Sequence, residues 1–365
     1  MSSRFKNLRS RYFLFPLIAI LLLGISWNRS LSNLVLAALG LVLVATVFTA
    51  VHHAEVVALR VGEPFGSLIL ALSVTLIEVG MIVVLILESP DTNQNLPRDT
   101  VFAAVMITTN GIVGIALLIK TIRQRVATFN AIGVGGALAA LAALSTLSLI
   151  LPTFTTSSPG PTFTDIQLAF AAISSLVLYL TFVAVQTVRH RDYFLPPPRE
   201  DHTIPVEEHV EPPSNTQARQ SLFGLLISLI AVVGLAKVTS PLIQGFVDNQ
   251  GLPQMMVAIS IALIVLLPES ISAIKAARYG RTQTSLNLAY GSALASIGLT
   301  IPAIAVISIL FSYEVNLGLN ASEIVLIALT FFVSTLTVVS GRASLLQSVI
   351  HLSIFGSFVM FAATP

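Results

Sequence analysis

Apolar residues run through this chain in long blocks separated by short polar or proline-rich breaks. The blocks fall at about 12–27, 31–51, 65–88, 100–119, 131–151 and 165–188, then at 220–242, 254–277, 284–311, 322–340 and 343–363. Each is near or above the ~20 residues that a helix needs to cross a bilayer core, and none alternates as a barrel strand would. A lone segment in lipid must satisfy its own backbone, so the pattern predicts eleven membrane helices and an all-α polytopic membrane protein.

The longest break, 189–219, carries Pro196-Pro197-Pro198, Pro205 and Pro212-Pro213, a density that predicts an extended tether rather than a compact helix. Its middle is acidic (Glu200, Asp201, Glu207, Glu208, Glu211) with His202 and His209 interleaved, which suits a solvated linker or a calcium- or pH-sensing segment. The chain then divides into a basic N-terminal segment with one extra helix (1–30), five helices (31–188), the linker (189–219) and five more helices (220–365). Because five is odd, the second set enters from the opposite face to the first. That is the inverted-topology duplication of secondary transporters, whose cargo sites lie near the midplane.

Charge sharpens this picture. The chain is 55% hydrophobic and only 10% charged, against roughly 25% charge in soluble domains. The net charge of +2 comes with no basic block suited to nucleic acid, and the lack of cysteine excludes disulfides and thiolate metal sites. Alternate connections collect sixteen of the nineteen Lys and Arg residues; the other side has Arg29, Arg98 and Lys237. Cytoplasmic loops collect such charge, so the split predicts a cytoplasmic N-terminus and an extracytoplasmic C-terminus. The basic start and the small residues Gly24-Ile25-Ser26 also suit a signal peptide, but Trp27 and Arg29 are poor cleavage context and favour a retained helix.

Within the apolar blocks two carboxylates stand out. Glu78 and Glu269 each lie on the second helix of their set of five. An ionised group at mid-bilayer costs ~2.5 to 3.5 kcal/mol on insertion scales, so such acids mark ion or proton paths. Thr75 precedes Glu78 by one turn and Ser73 lies more obliquely; Ser270 and Ser272 follow Glu269. Pro268 is expected to interrupt its helix beside Glu269 and free carbonyls. The next helices bring Thr108-Thr109-Asn110-Gly111 and Gly291-Ser292-Ala293-Leu294-Ala295-Ser296 into apolar surroundings, for a ligand or for close helix packing. Gly135, Gly136, Ala139 and Ala143 are read as packing residues alone. Glu55 and His53 are expected in contact with water at a helix end. An intramembrane enzyme or a channel could use two buried acids, yet no H-E-x-x-H motif or Ser/His/Asp set accompanies them, and a channel does not require mirrored acids.

Gly62-Glu63-Pro64-Phe65-Gly66 before the Glu78 helix, Pro268-Glu269, and Gly291-Ser292 with Pro302 resemble the paired repeats of cation/proton exchangers of the CAX type, most closely their bacterial ChaA branch. The resemblance covers nearly the whole chain. It implies that Glu78 and Glu269 are the glutamates shared by cation and protons, with Ser73, Thr75, Asn110, Ser270 and Ser292 as neighbours. Glu55 matches a further acidic position and, with His52, could relay a proton or cation. It also implies a bacterial plasma membrane.

The family's Gly-Asn-x-x-Glu signature is altered, reading Val74-Thr75-Leu76-Ile77-Glu78 and Val265-Leu266-Leu267-Pro268-Glu269. Leu70 and Ala295 replace further amides. Ca²⁺ prefers six to eight oxygens, so Na⁺ or K⁺ could be carried as well or instead. Burial favours the protonated acid and a bound cation the ionised one, so the two compete. The expected function is export of a cation in exchange for protons. No cofactor is expected beyond the cargo, and the lipid bilayer is the expected partner.

Overall fold

A computed structural model describes residues 2–88, 93–196 and 212–364, with side chains from residue 14 onward. Among them eleven helices follow the apolar blocks: α1 (Ser2–Ser26), α2 (Asn33–Val61), α3 (Phe65–Glu88), α4 (Leu96–Gln124), α5 (Ala131–Phe154), α6 (Asp165–Arg189), α7 (Asn215–Asn249), α8 (Met255–Arg278), α9 (Thr282–Phe311), α10 (Ala321–Val339) and α11 (Leu345–Ala363). The ten from α2 to α11 are each long and apolar enough to cross a membrane. The acidic residues Glu200, Asp201, Glu207, Glu208 and Glu211 of the linker, and the interleaved His202 and His209, lie outside the described residues.

Local chemistry sets several helix starts. Thr164 with Gln167, Ser214 with Gln217, Asn320 with Glu323 and Ser344 with Gln347 form reciprocal capping pairs at α6, α7, α10 and α11. Each satisfies amide groups that the first helical turn leaves without partners. Other helices depart from the predicted bounds. α2 continues to Val61 instead of ending near residue 51, so His52, His53 and Glu55 are inside it.

π-helical turns occur at Ile107–Ile112 in α4, Thr146–Ile150 in α5 and Val185–Arg189 in α6. In α5 the turn leads into Pro152, which has no amide for the Ser148 carbonyl, and the wider turn absorbs that gap. In α4 the Thr108 and Thr109 hydroxyls donate back to the carbonyls of Ala104 at 2.7 Å and Val105 at 2.6 Å. Such back-bonding competes with the regular ladder and bends a helix.

The chain forms two compact units, and each draws on both halves of the sequence. The first comprises the described residues of Met1–Asn93 and Glu211–Pro268: α1, α2, α3, α7 and the start of α8. Here α2 packs most extensively on α7. Glycines permit the close approaches: a Cβ on Gly80 of α3 would lie 2.5 Å from Val233, and one on Gly224 would lie 2.5 Å from His53 Nε2. At the α2–α3 turn, a Cβ on Gly66 would lie 2.6 Å from the Ala58 carbonyl oxygen.

The second unit comprises the described residues of Gln94–Val210 and Glu269–Pro365. Its post is α4, buried on every side from Leu96 to Gly114. A helix apolar all round belongs inside a bundle; α11, α9 and α10 pack against it. Two short strands, β1 (Val126–Thr128) and β2 (Arg342–Ser344), pair antiparallel with Ala127 opposite Ala343. Elsewhere in the unit Arg98 is bound to Asp99 at 2.7 Å and donates to the Gly318 carbonyl at 2.9 Å. Leu319 and Gly318 in turn donate to the Leu149 and Pro161 carbonyls. Arg98, counted by sequence among the few basic residues of its side, is a buried clasp.

The packing expected of Gly136 and Ala139 is not observed, since both are exposed. The buried face of α5 runs through Gly133, Ala137, Leu141 and Leu144 instead. A Cβ on Gly133 would collide with the Tyr193 carbonyl oxygen.

Candidate cation site

In the first unit, Glu78 lies on the buried side of α3 with Ser73, Thr75, Ile77, Met81 and Ile82. Its side chain is 3% exposed, and Thr75 one turn earlier is 4% exposed. Ser73 donates its proton to the Ile69 carbonyl at 2.7 Å, which leaves its oxygen lone pairs as acceptors or ligands. The predicted grouping of Ser73 and Thr75 with Glu78 is therefore present on one helix side.

His52, Glu55 and His53 divide differently from the expectation of a watery helix end. Glu55 is exposed and lies six helical steps before Val61, about 9 Å along the axis. His52 is half-buried. His53 is 3% exposed and packed on Gly224 of α7, because α2 extends past it as a helix.

Glu269 begins the second unit's share of α8. Its Oε2 atom is withdrawn from solvent. Pro268 does not interrupt the helix, which is continuous from Met255 to Arg278. A proline removes one ladder hydrogen bond, here the one to the Ile264 carbonyl, while the flanking bonds keep the helix running. Ser270 is half-buried and Ser272 is exposed, so the second acid has no buried hydroxyl one turn away. On α9, Ser292 is half-buried and a Cβ on Gly291 would meet nothing within 4 Å. Close helix packing therefore does not account for Gly291.

Asn110 occupies a closed polar network within the second unit. Thr330 gives its proton to the Leu326 carbonyl at 2.8 Å, so its oxygen accepts from Asn110 Nδ2 at 2.9 Å. That orientation turns Asn110 Oδ1 toward His351 Nδ1, 3.2 Å away. Nδ1 must then carry the ring proton, and in a neutral ring Nε2 accepts from the Thr337 hydroxyl at 3.2 Å. Asn110, Thr330 and His351 are each 0% exposed. The network ties the π-helical turn of α4 to α10 and α11 and occupies the amide oxygen of Asn110.

His351 was not singled out by the sequence reading. A signal was present: Ser344, Gln347, Ser348 and His351 form a polar stripe at helical spacing on an apolar helix, matched by Thr330, Ser334 and Thr337 on α10. Among the described residues, no three His, Asp or Glu side chains form a group able to hold a metal ion.

Ten bilayer-length helices, two of them with a carboxylate (Glu78, Glu269) inside the apolar run, define a polytopic membrane protein of the secondary-transporter type. The model of the sodium/calcium exchanger protein family matches residues 31–188 and 220–364, and the chain belongs to that family. Over 351 residues it is 30% identical to the sodium-potassium/proton antiporter ChaA of Escherichia coli (strain K12), covering 95% of this chain and 94% of that one. A provisionally named ionic transporter, y4hA of Sinorhizobium fredii (strain NBRC 101917 / NGR234), is 45% identical over 93% of this chain and 90% of its own. In fold, the chain is similar to the H⁺/Ca²⁺ exchanger CAX, with a TM-score of 0.72 at 14% identity, over 98% of this chain and 89% of that one.

Proposed function

We propose that this cation exchanger is an antiporter that moves a monovalent or divalent cation out of the cytoplasm against protons, with Glu78 and Glu269 sharing the cargo. The observation that carries the reading is a carboxylate on the second bilayer-length helix of each half, Glu78 buried and Glu269 half-buried with its Oε2 atom withdrawn from solvent. A carboxylate in a low-dielectric setting is stabilised by a proton or by a cation, and it is costly when left charged and alone. The two cargoes therefore compete for the same groups, and a carrier loaded with either crosses more easily than an empty one. That asymmetry couples the flows.

The choice among Ca²⁺, Na⁺ and K⁺ follows from the ligand set. Two carboxylates with Thr75 and Ser73 oxygens, and without the missing amides, supply fewer oxygens than the six to eight that Ca²⁺ prefers. The name of the E. coli relative supports Na⁺ and K⁺ as cargo, and that of the structural neighbour supports Ca²⁺. Asn110 acts as a positioning residue, since its oxygen is taken by His351. The two sets of five helices serve as inverted repeats joined by the 189–219 linker, in a bacterial plasma membrane with the N-terminus cytoplasmic.

The test is collapse of a preset pH gradient in proteoliposomes on addition of Na⁺, K⁺ or Ca²⁺. Wild type is expected to dissipate the gradient with Na⁺ and K⁺ at least as well as with Ca²⁺. Folded, inserted protein that moves no protons with any of the three contradicts the reading.

A further inference from the structure

At one end of the second unit, the last turn of α4 and the end of α8 line a solvent-open cavity of about 230 Å³ with Lys120, Arg123, Gln124, Arg278, Tyr279 and Gly280. A water occupies ~30 Å³, so the space suits a polyatomic group rather than one solvent molecule. Three lining side chains are cationic and none is acidic.

The local structure consumes only part of this donor capacity. Arg123 Nη1 donates to the Arg278 carbonyl at 3.0 Å, and Lys120 Nζ lies 3.5 Å from the Gly280 carbonyl. Both contacts fall on carbonyls at the C-terminal end of α8, where cations are favourable. A guanidinium has five N–H donors, so Arg123 keeps most of its own, and neither Arg123 nor Arg278 forms an ion pair among the described residues. Gly280 adopts a φ of 76°, a left-handed turn that ends α8 and places its carbonyl by Lys120.

The rim identifies the surroundings. Ile122 and Tyr279 are 70% and 79% exposed beside the cavity. An exposed isoleucine and a tyrosine at the end of a membrane helix suit the boundary between acyl chains and headgroups. A basic pocket between membrane helices at that level has the chemistry of a phosphodiester site, with bidentate Arg contacts to phosphate oxygens.

We propose that this cavity binds the phosphate headgroup of an anionic phospholipid, with Arg123, Arg278 and Lys120 as its cationic ligands and Tyr279 at its edge. The site is separate from the cargo residues and stands whether or not the chain exchanges cations for protons.

Native mass spectrometry of the full chain, released from detergent with defined phosphatidylglycerol or phosphatidylcholine, tests it. Wild type is expected to retain phosphatidylglycerol over phosphatidylcholine. Lys120→Gln/Arg123→Gln/Arg278→Gln is expected to lose that preference, on the order of fivefold per charge removed. Arg123→Lys/Arg278→Lys, which keeps the charge, retains much of it and shows that loss is not misfolding. The double control Arg60→Gln/Arg219→Gln, on basic residues of the first unit, leaves the adduct unchanged. An unaltered adduct in the triple variant overturns the proposal. So does equal displacement of lipid by inorganic phosphate, which would assign the pocket to a soluble anion.

Discussion

On α3, the hydroxyls before Glu78 are buried with it: Thr75 is 4% and Ser73 5% exposed. On α8, Ser270 after Glu269 is half-buried and Ser272 faces outward, while Pro268 removes a backbone donor just before the acid. The helices that follow differ in the same sense. α4 carries a π-helical turn held by Asn110, Thr330 and His351, whereas α9 runs unbroken and has open space at Gly291. The two halves therefore present the same acid with different support. The first places buried hydroxyls before the acid on its own helix; the second places only half-buried or exposed hydroxyls after its acid.

The largest effect is expected from the acids themselves, where the two halves should be alike. Glu78→Gln and Glu269→Gln should each weaken cation binding by at least ~10- to 100-fold, as even outer partners of bound metals do, and bring exchange in proteoliposomes to background. A Glu269→Gln protein that still exchanges would break the equivalence and leave α3 as the only acid helix at work.

Next comes the network behind α4. His351→Leu leaves the Asn110 oxygen buried without a donor, which costs ~1–3 kcal/mol. The measurement is unfolding in detergent, read by circular dichroism. Asn110→Leu/His351→Leu together should lose less than the sum of the two singles, because they share one hydrogen bond. Additive losses would dissolve the network as a unit.

Thr75→Val against Ser272→Ala tests the hydroxyls directly. Thr75→Val keeps the shape and removes an oxygen from the buried side, so a several-fold rise in the half-saturating cation concentration is expected, whereas Ser272→Ala should change nothing measurable. Equal effects would show that burial does not separate these positions. The smallest change expected is at Gly291, where a methyl group meets no atom within 4 Å. Gly291→Ala should stabilise α9 by ~0.5–1 kcal/mol. Slower exchange in that more stable protein would mean that the cargo uses the space.

Membrane class, helix number and the two acids were legible because each is an average or an anomaly: hydropathy sums over some twenty residues, and a carboxylate inside such a run has no apolar reading. What depended on which side a residue faces was not legible. Proline at 268 suggested a break, yet loss of a single ladder bond leaves α8 intact. Gly136 and Ala139 looked like packing residues, but the helix turns Gly133 inward instead. His351 was one histidine in an apolar run, and its partner Asn110 lies 241 positions away in sequence. Only facing polar stripes on α10 and α11 hinted at the connection.

Competition between proton and cation for the two acids is the centre of the account, and proton release measures it without a membrane. Purified protein in weakly buffered detergent solution is titrated with Na⁺, K⁺ or Ca²⁺ while the pH is recorded. Acidification that saturates with cation concentration is expected in wild type and is expected to vanish in both Glu78→Gln and Glu269→Gln. Saturable cation binding with no proton released from wild type would contradict it.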